Sequence, residues 1–164
     1  MPKTSLIIAS LFAALPIAAH GQTSSAYVAT AGASDLFERT SSNLVLRTTK
    51  DTKIRSFATM MVRDHAKSTA MVKAAAAKAG VKAAPPQMTA DQKSKIAALT
   101  AANGKARDQL YWQQQKAAHR EALTLHQGYA SNGSAKPLKA AAAQIVPVVQ
   151  HHIEMLDHGG THRN

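Results

Sequence analysis

The chain has 164 residues, room for one domain and short flanking segments but not for two. Hydrophobic residues make up 45% of it and aromatic residues only 4%, so the expected core is Ala, Leu, Val, Ile and Met, which favour helices; the alternating β-branched runs of a sheet are missing. A net charge of +11 predicts attraction to polyanions without naming one, and the lack of cysteine excludes disulfide staples and thiol chemistry.

The chain opens with Met1, Pro2 and Lys3, followed by an apolar run from Leu6 to Ala19 broken only by Ser10 and Pro16. That run is too brief to span a bilayer comfortably, and the small residues Ala19 and Gly21 suit cleavage between Gly21 and Gln22. Residues 1–21 therefore read as a cleavable signal peptide, which makes the mature protein periplasmic or secreted and not transmembrane. The polyanions in those places are lipid head groups, lipopolysaccharide, anionic glycans and extracellular DNA. The charge thus predicts electrostatic attachment to envelope polymers or to a membrane surface, the outer membrane included.

A first helix is expected from about Ser24 to Thr49, capped by Ser24 or Ser25, with Thr30, Ala33, Phe37, Ser41, Leu44 and Thr48 inward and Val45 and Glu38 on a flank. Asp51 and Thr52 make a turn and cap. The second helix, about Lys53 to Ala79, places Ile54, Phe57, Ala58, Met61, His65, Ser68 and Val72 on one face and stops at Gly80. Pro85 and Pro86 mark an extended connector.

Thr89-Ala90-Asp91-Gln92 has the spacing of a capping box and starts a third helix, which Asn103 and Gly104 split into about Ala90–Ala102 and Ala106–Ala130. Its second part carries one stripe through Asp108, Trp112, Gln115, His119, Leu123, His126 and Ala130, and another through Tyr111, Ala118, Leu125 and Tyr129. Two stripes imply two neighbours. After a turn at Asn132, Gly133 and Ser134, a fourth helix from about Ala135 to Asp157 faces Leu138, Ala141, Ile145, Val148, Val149, His152 and Leu156 inward, with Pro147 kinking it. The expected fold is all-α: an antiparallel four-helix bundle over residues 22–158, then a flexible tail, 159–164, with His162 in it.

These residues resemble a bacterial family catalogued as domain of unknown function 4142. The matching pieces are Phe37-Glu38 followed by Ser42 and Leu44, and the run Ile54 to His65 with Phe57-Ala58, Met61-Val62 and Asp64-His65. Tyr111 followed by His119, and Pro147 followed at the fifth place by His152, complete the likeness, which spans about Tyr27 to His158. The chain departs from the family at Gly104-Lys105-Ala106-Arg107-Asp108, where a Gly followed by Phe-Asp is usual. The resemblance implies an exported protein with a ferritin-like fold and brings no established activity.

His65, His119 and His152 each sit mid-stripe on a different predicted helix, and Glu38 on the first helix can join them. One carboxylate and three imidazoles suit a single transition-metal ion such as zinc, iron, manganese or copper. The plainer reading is a polar core cluster, hydrogen-bonded within itself or to backbone. No Glu-x-x-His motif is present, and Glu121 and Glu154 fall on the sides of their helices away from His119 and His152, which argues against a di-iron oxidase.

Asp64 is expected to cap or to pair with Arg63, Lys67 or a facing side chain, and Trp112, Met60, Met61, Met71 and Met155 to pack. His151, His158 and His162 sit near the tail, where metal binding would be adventitious. No Ser-His-Asp order, phosphate loop or nucleotide fingerprint is present, and the aromatics do not interleave with the basic residues, so specific nucleic-acid binding is not expected. The sequence thus points to a non-enzymatic exported bundle that binds or protects at the cell envelope, with a mononuclear metal protein as the alternative.

Overall fold

The computed structural model describes residues 22–159, so the signal-peptide reading of residues 1–21 and most of the tail lie outside the described residues. Helix α1 spans Ser24–Leu46, α2 Thr52–Lys78, α3 Ala90–Ala101, α4 Gly104–Asn132 and α5 Lys136–Gly159, and no strand occurs among the described residues.

Local chemistry sets the helix ends. Thr23, not Ser24 or Ser25, caps α1 by accepting from the Ala26 amide, which leaves the Ser24 hydroxyl free to bond the Tyr129 hydroxyl at 2.7 Å. The Asp51 carboxylate accepts from the amides of Lys53 and Ile54 and starts α2. Gly80 stops it with φ 68°, a left-handed conformation that only glycine adopts without strain. Thr89 and Gln92 form the expected capping box of α3.

The junction between α3 and α4 has a cause that the sequence reading missed. The buried Arg107 guanidinium donates to the carbonyls of Leu99, Thr100 and Ala102 and to the Thr48 hydroxyl, so one side chain takes the open carbonyls at the end of α3 and ties them to the end of α1. At the far end α5 runs on to Gly159, so the first residue of the expected tail is helical.

The four long helices pack in a ring, α1 against α2, α2 against α5, α5 against α4 and α4 against α1, while α3 leans on α1 and α4. Two apolar clusters fill the ring. Tyr27, Ala76, Tyr129, Leu138 and Ile145 belong to one, and Val45, Phe57, Met61, Tyr111 and Leu156 to the other. Each fully buried aliphatic side chain contributes about 1.5–3 kcal/mol. Helices α1 and α5 run from the first cluster to the second and α2 and α4 return, so residues 79–103 carry the chain back along the ring. Pro86 of that crossover lies so close to Gly32 of α1 that a Cβ there would meet it at 3.2 Å.

Every residue expected on the inner face of α2 is buried. On α1 the expected Ala33, Phe37 and Ser41 are buried, but the buried face is wider than expected and also takes in Tyr27, Ala31, Asp35, Glu38, Ser42 and Val45, whereas Thr30 and Thr48 are exposed. Polar residues lie on that face, so apolar spacing found only part of it. Val148 of α5, expected inward, is 42% exposed because its neighbour Val149 takes the inward place on the line from Ile145 to His152.

Candidate metal centre

Between the two apolar clusters lies a polar layer. Asp35 and Glu38 enter it from α1, one turn apart; Asp64 and His65 from α2; Gln115 and His119 from α4; and His152 from α5. His65, His119, His152, Asp35 and Glu38 are all at most 5% exposed. Burying such groups costs several kcal/mol unless each finds a partner, so the partners are informative.

His65 donates from Nδ1 to Asp35 Oδ1 at 2.8 Å, and Asp35 Oδ2 accepts from the Thr69 hydroxyl at 2.9 Å. His119 donates from Nδ1 to the carbonyl of Gln115 at 2.9 Å, one turn back on its own helix. His152 donates from Nε2 to Asp64 Oδ2 at 3.1 Å, and the exposed Arg63 grips that carboxylate through both oxygens, at 2.7 and 3.1 Å. Each ring thus has one nitrogen fixed as a donor by an oxygen acceptor, which leaves the other as a lone pair wherever the ring is neutral.

Those remaining nitrogens face inward together. His119 Nε2 lies 3.3 Å from His152 Nδ1, and His65 Nε2 is buried without a hydrogen-bond partner. A ligand nitrogen from each of the three rings lies within 4.8 Å of the others. Two lone pairs at 3.3 Å cannot bond without an added proton, and the site resists that proton. Burial, and then the charge of His65, pushes the His152 imidazole down to about 4 and His119 well below the usual histidine range. At His65 burial also acts downward, but the Asp35 hydrogen bond and the charges of Glu38, Asp35 and Asp64 outweigh it and raise the pKa.

Glu38 stands beside the trio. Its Oε1 is 3.8 Å from His119 Nδ1, the nitrogen that serves Gln115, and both its oxygens are buried without a hydrogen-bond partner. Burial raises its carboxyl to about 7, against the pull of the His65 charge. Asp64 pairs with Arg63 and with a side chain on a facing helix, His152, both within what was expected of it. Asp35 was missed altogether. Its place three residues before Glu38, on the same face of α1, was the available signal.

The other candidates lie apart. His126 accepts at Nδ1 from the Tyr27 hydroxyl at 2.9 Å, Asp108 accepts from the Thr49 hydroxyl, His151 and His158 are exposed, and His162 is outside the described residues. Trp112 donates to the Leu156 carbonyl and packs on Phe57, whose ring also approaches His119 and His152. At that end of the molecule a groove of about 1020 Å³ is lined by Trp112, Lys50, Lys53, Lys105 and Lys116. No helix among the described residues is long and apolar enough to cross a membrane.

The profile of a family described as a domain of unknown function, DUF4142, matches residues 13–158. No curated protein matches the chain. Among solved structures, a DUF305 fragment from Deinococcus radiodurans superposes with a TM-score of 0.71 at 13% identity, covering 82% of this chain and 93% of that one. A DUF305 protein from Streptomyces coelicolor, described as secreted, superposes with a TM-score of 0.66 at 18% identity, covering 88% of this chain and 99% of that one. At those identities the likeness is one of fold.

Proposed function

The chain belongs to the DUF4142 family of unknown function, and we propose that it is an exported helical protein that holds one transition-metal ion among His65, His119 and His152. One observation carries this reading: three buried imidazoles, each anchored through one nitrogen by an oxygen acceptor, bring a ring nitrogen each within 4.8 Å of the others, and His119 and His152 do so with their unanchored nitrogens. Metal-binding histidines are oriented in this way, by an acceptor on the far nitrogen. The spacing supports it too, since metal–nitrogen bonds of about 2.0–2.1 Å put the nitrogens of a tetrahedral site about 3.3 Å apart. His119 and His152 already stand at 3.3 Å, and His65 closes in on binding. Glu38 stands behind the His119 ring, 3.8 Å from its Nδ1, and its carboxylate, once ionised, would add negative charge near the centre.

Zinc, copper and iron suit an imidazole set best, with manganese less favoured. Binding or storage of the ion needs nothing more than this centre. The reading of the ring as a ferritin-like antiparallel four-helix bundle rests on its single long crossover between two parallel, diagonal helices. Cleavage before Gln22 and location in the periplasm or outside the cell follow the same reading, and the lysine-lined groove favours contact with anionic envelope polymers.

Elemental analysis tests the proposal, on untagged protein in which His158→Asn and His162→Asn remove tail binding. About one equivalent of zinc, copper or iron per chain is expected, and loss of it in His119→Gln. Metal that stays after His119→Gln, or a metal-free protein that takes up none, contradicts it.

A further inference from the structure

Two of the three histidines of the centre, His65 and His152, border a pocket of about 10 Å³, room for one water molecule. His65, Ser68, Asp35, Asp64, His126 and His152 supply its polar lining, and the exposed Val148 is part of its wall. Two of these residues carry a buried polar atom with no hydrogen-bond partner, the Ser68 hydroxyl and His65 Nε2. Buried polar atoms are normally satisfied, so two orphans beside one water-sized pocket point to a guest. Ser68 follows His65 by three residues on α2, which puts both on the same face.

We propose that the metal centre is open: an ion held by His65, His119 and His152 keeps one further position toward this cavity, for a ligand of a single heavy atom that the Ser68 hydroxyl holds. The inference rests on the metal reading above. Three histidines leave a tetrahedral ion one ligand short, and a centre with that vacancy takes water, hydroxide or a small anion. His126, the other imidazole on the cavity, is engaged at Nδ1 by Tyr27. The room beside the aliphatic side chains of Ile145, Val148 and Val149 is that of one water-sized ligand.

The test loads the full chain with less than one equivalent of copper(II) and titrates fluoride, a water-sized anion, while recording the copper EPR spectrum. A saturable spectrum split by the fluorine nucleus is expected. Ser68→Val, which puts one further carbon into the cavity, should still bind copper and lose the fluoride response. Ser68→Ala, which removes only the hydroxyl, should weaken fluoride about tenfold, the worth of one hydrogen bond of about 1.4 kcal/mol. A wild-type copper spectrum indifferent to fluoride means an ion enclosed by protein ligands and overturns the open site while leaving the metal reading intact. A fluoride response unchanged in both Ser68 variants also overturns it. A chain that binds no copper and no other metal refutes the metal reading, and the open site with it.

Discussion

Asp35 carries more of the centre than its absence from the sequence reading suggested. It holds His65 through one oxygen and Thr69 through the other; Thr69 keeps the His65 carbonyl as an acceptor, so Asp35→Ala leaves one buried donor, His65 Nδ1, without an acceptor. The expected cost is about 1–3 kcal/mol of stability, read from denaturant unfolding without metal. Metal affinity should fall about 10–100-fold, because the His65 ring loses its fixed orientation. A stability loss with unchanged affinity would make Asp35 a structural partner alone. The histidines themselves were legible: three of them, each flanked by apolar residues at helical spacing, fell where the structure puts them. Their anchors were harder to see. Apolar periodicity says nothing about Asp35, and one of the anchors, the Gln115 carbonyl, is backbone and carries no side-chain signal at all.

At the scale of elements, the capping signals at Asp51, Gly80 and Thr89 were written in the residues themselves, and the structure bears them out. The α3–α4 junction was placed by Asn103 and Gly104, but its stabiliser, Arg107, was not visible, because its acceptors are carbonyls of a helix end and a hydroxyl 59 residues away. Arg107→Ala should cost about 1–3 kcal/mol and speed amide exchange around residues 99–104 more than in α2. Equal acceleration in both places would show that Arg107 stabilises the whole fold evenly and not this junction. The face of α1 was only partly legible for a related reason: Ala33, Phe37 and Ser41 were placed inward, but a helix that also buries Asp35, Glu38 and Ser42 against a polar layer has little apolar contrast to mark its full width.

For the whole molecule, the buried titratable groups set an acid limit on stability. His126 and His152 are held near 4 by burial against a usual value of 6.5, and His119 lies well below it. For each, the unfolded chain binds a proton that the folded chain refuses, so its contribution is full above about 6.5 and is lost as pH falls toward 4. Glu38 acts oppositely. Raised from 4.5 to about 7, it takes up its proton in the folded chain first, so its contribution is full below 4.5 and disappears above 7. His65, raised above 6.5, contributes fully below that value and loses its contribution only above it. Three imidazoles outweigh one carboxyl, so the melting temperature of chelated protein should fall from pH 6.5 to pH 4.5, with a shallower fall in His126→Gln. A flat or rising profile would show that these rings are not buried neutral.

The central claim, that the three histidines form a metal centre, is tested most directly by melting the wild type with and without a strong chelator beside His152→Gln, whose amide can keep hydrogen bonds but is a poor transition-metal ligand. An ion that binds only the folded chain at about 100 times its Kd adds about 2.7 kcal/mol, a shift of several degrees in a domain of this size. Chelation should therefore lower the wild-type melting temperature to a value near that of His152→Gln, which should itself ignore the chelator. A wild type that melts at one temperature with and without chelator would contradict the metal centre and leave the three histidines as a hydrogen-bonded polar layer.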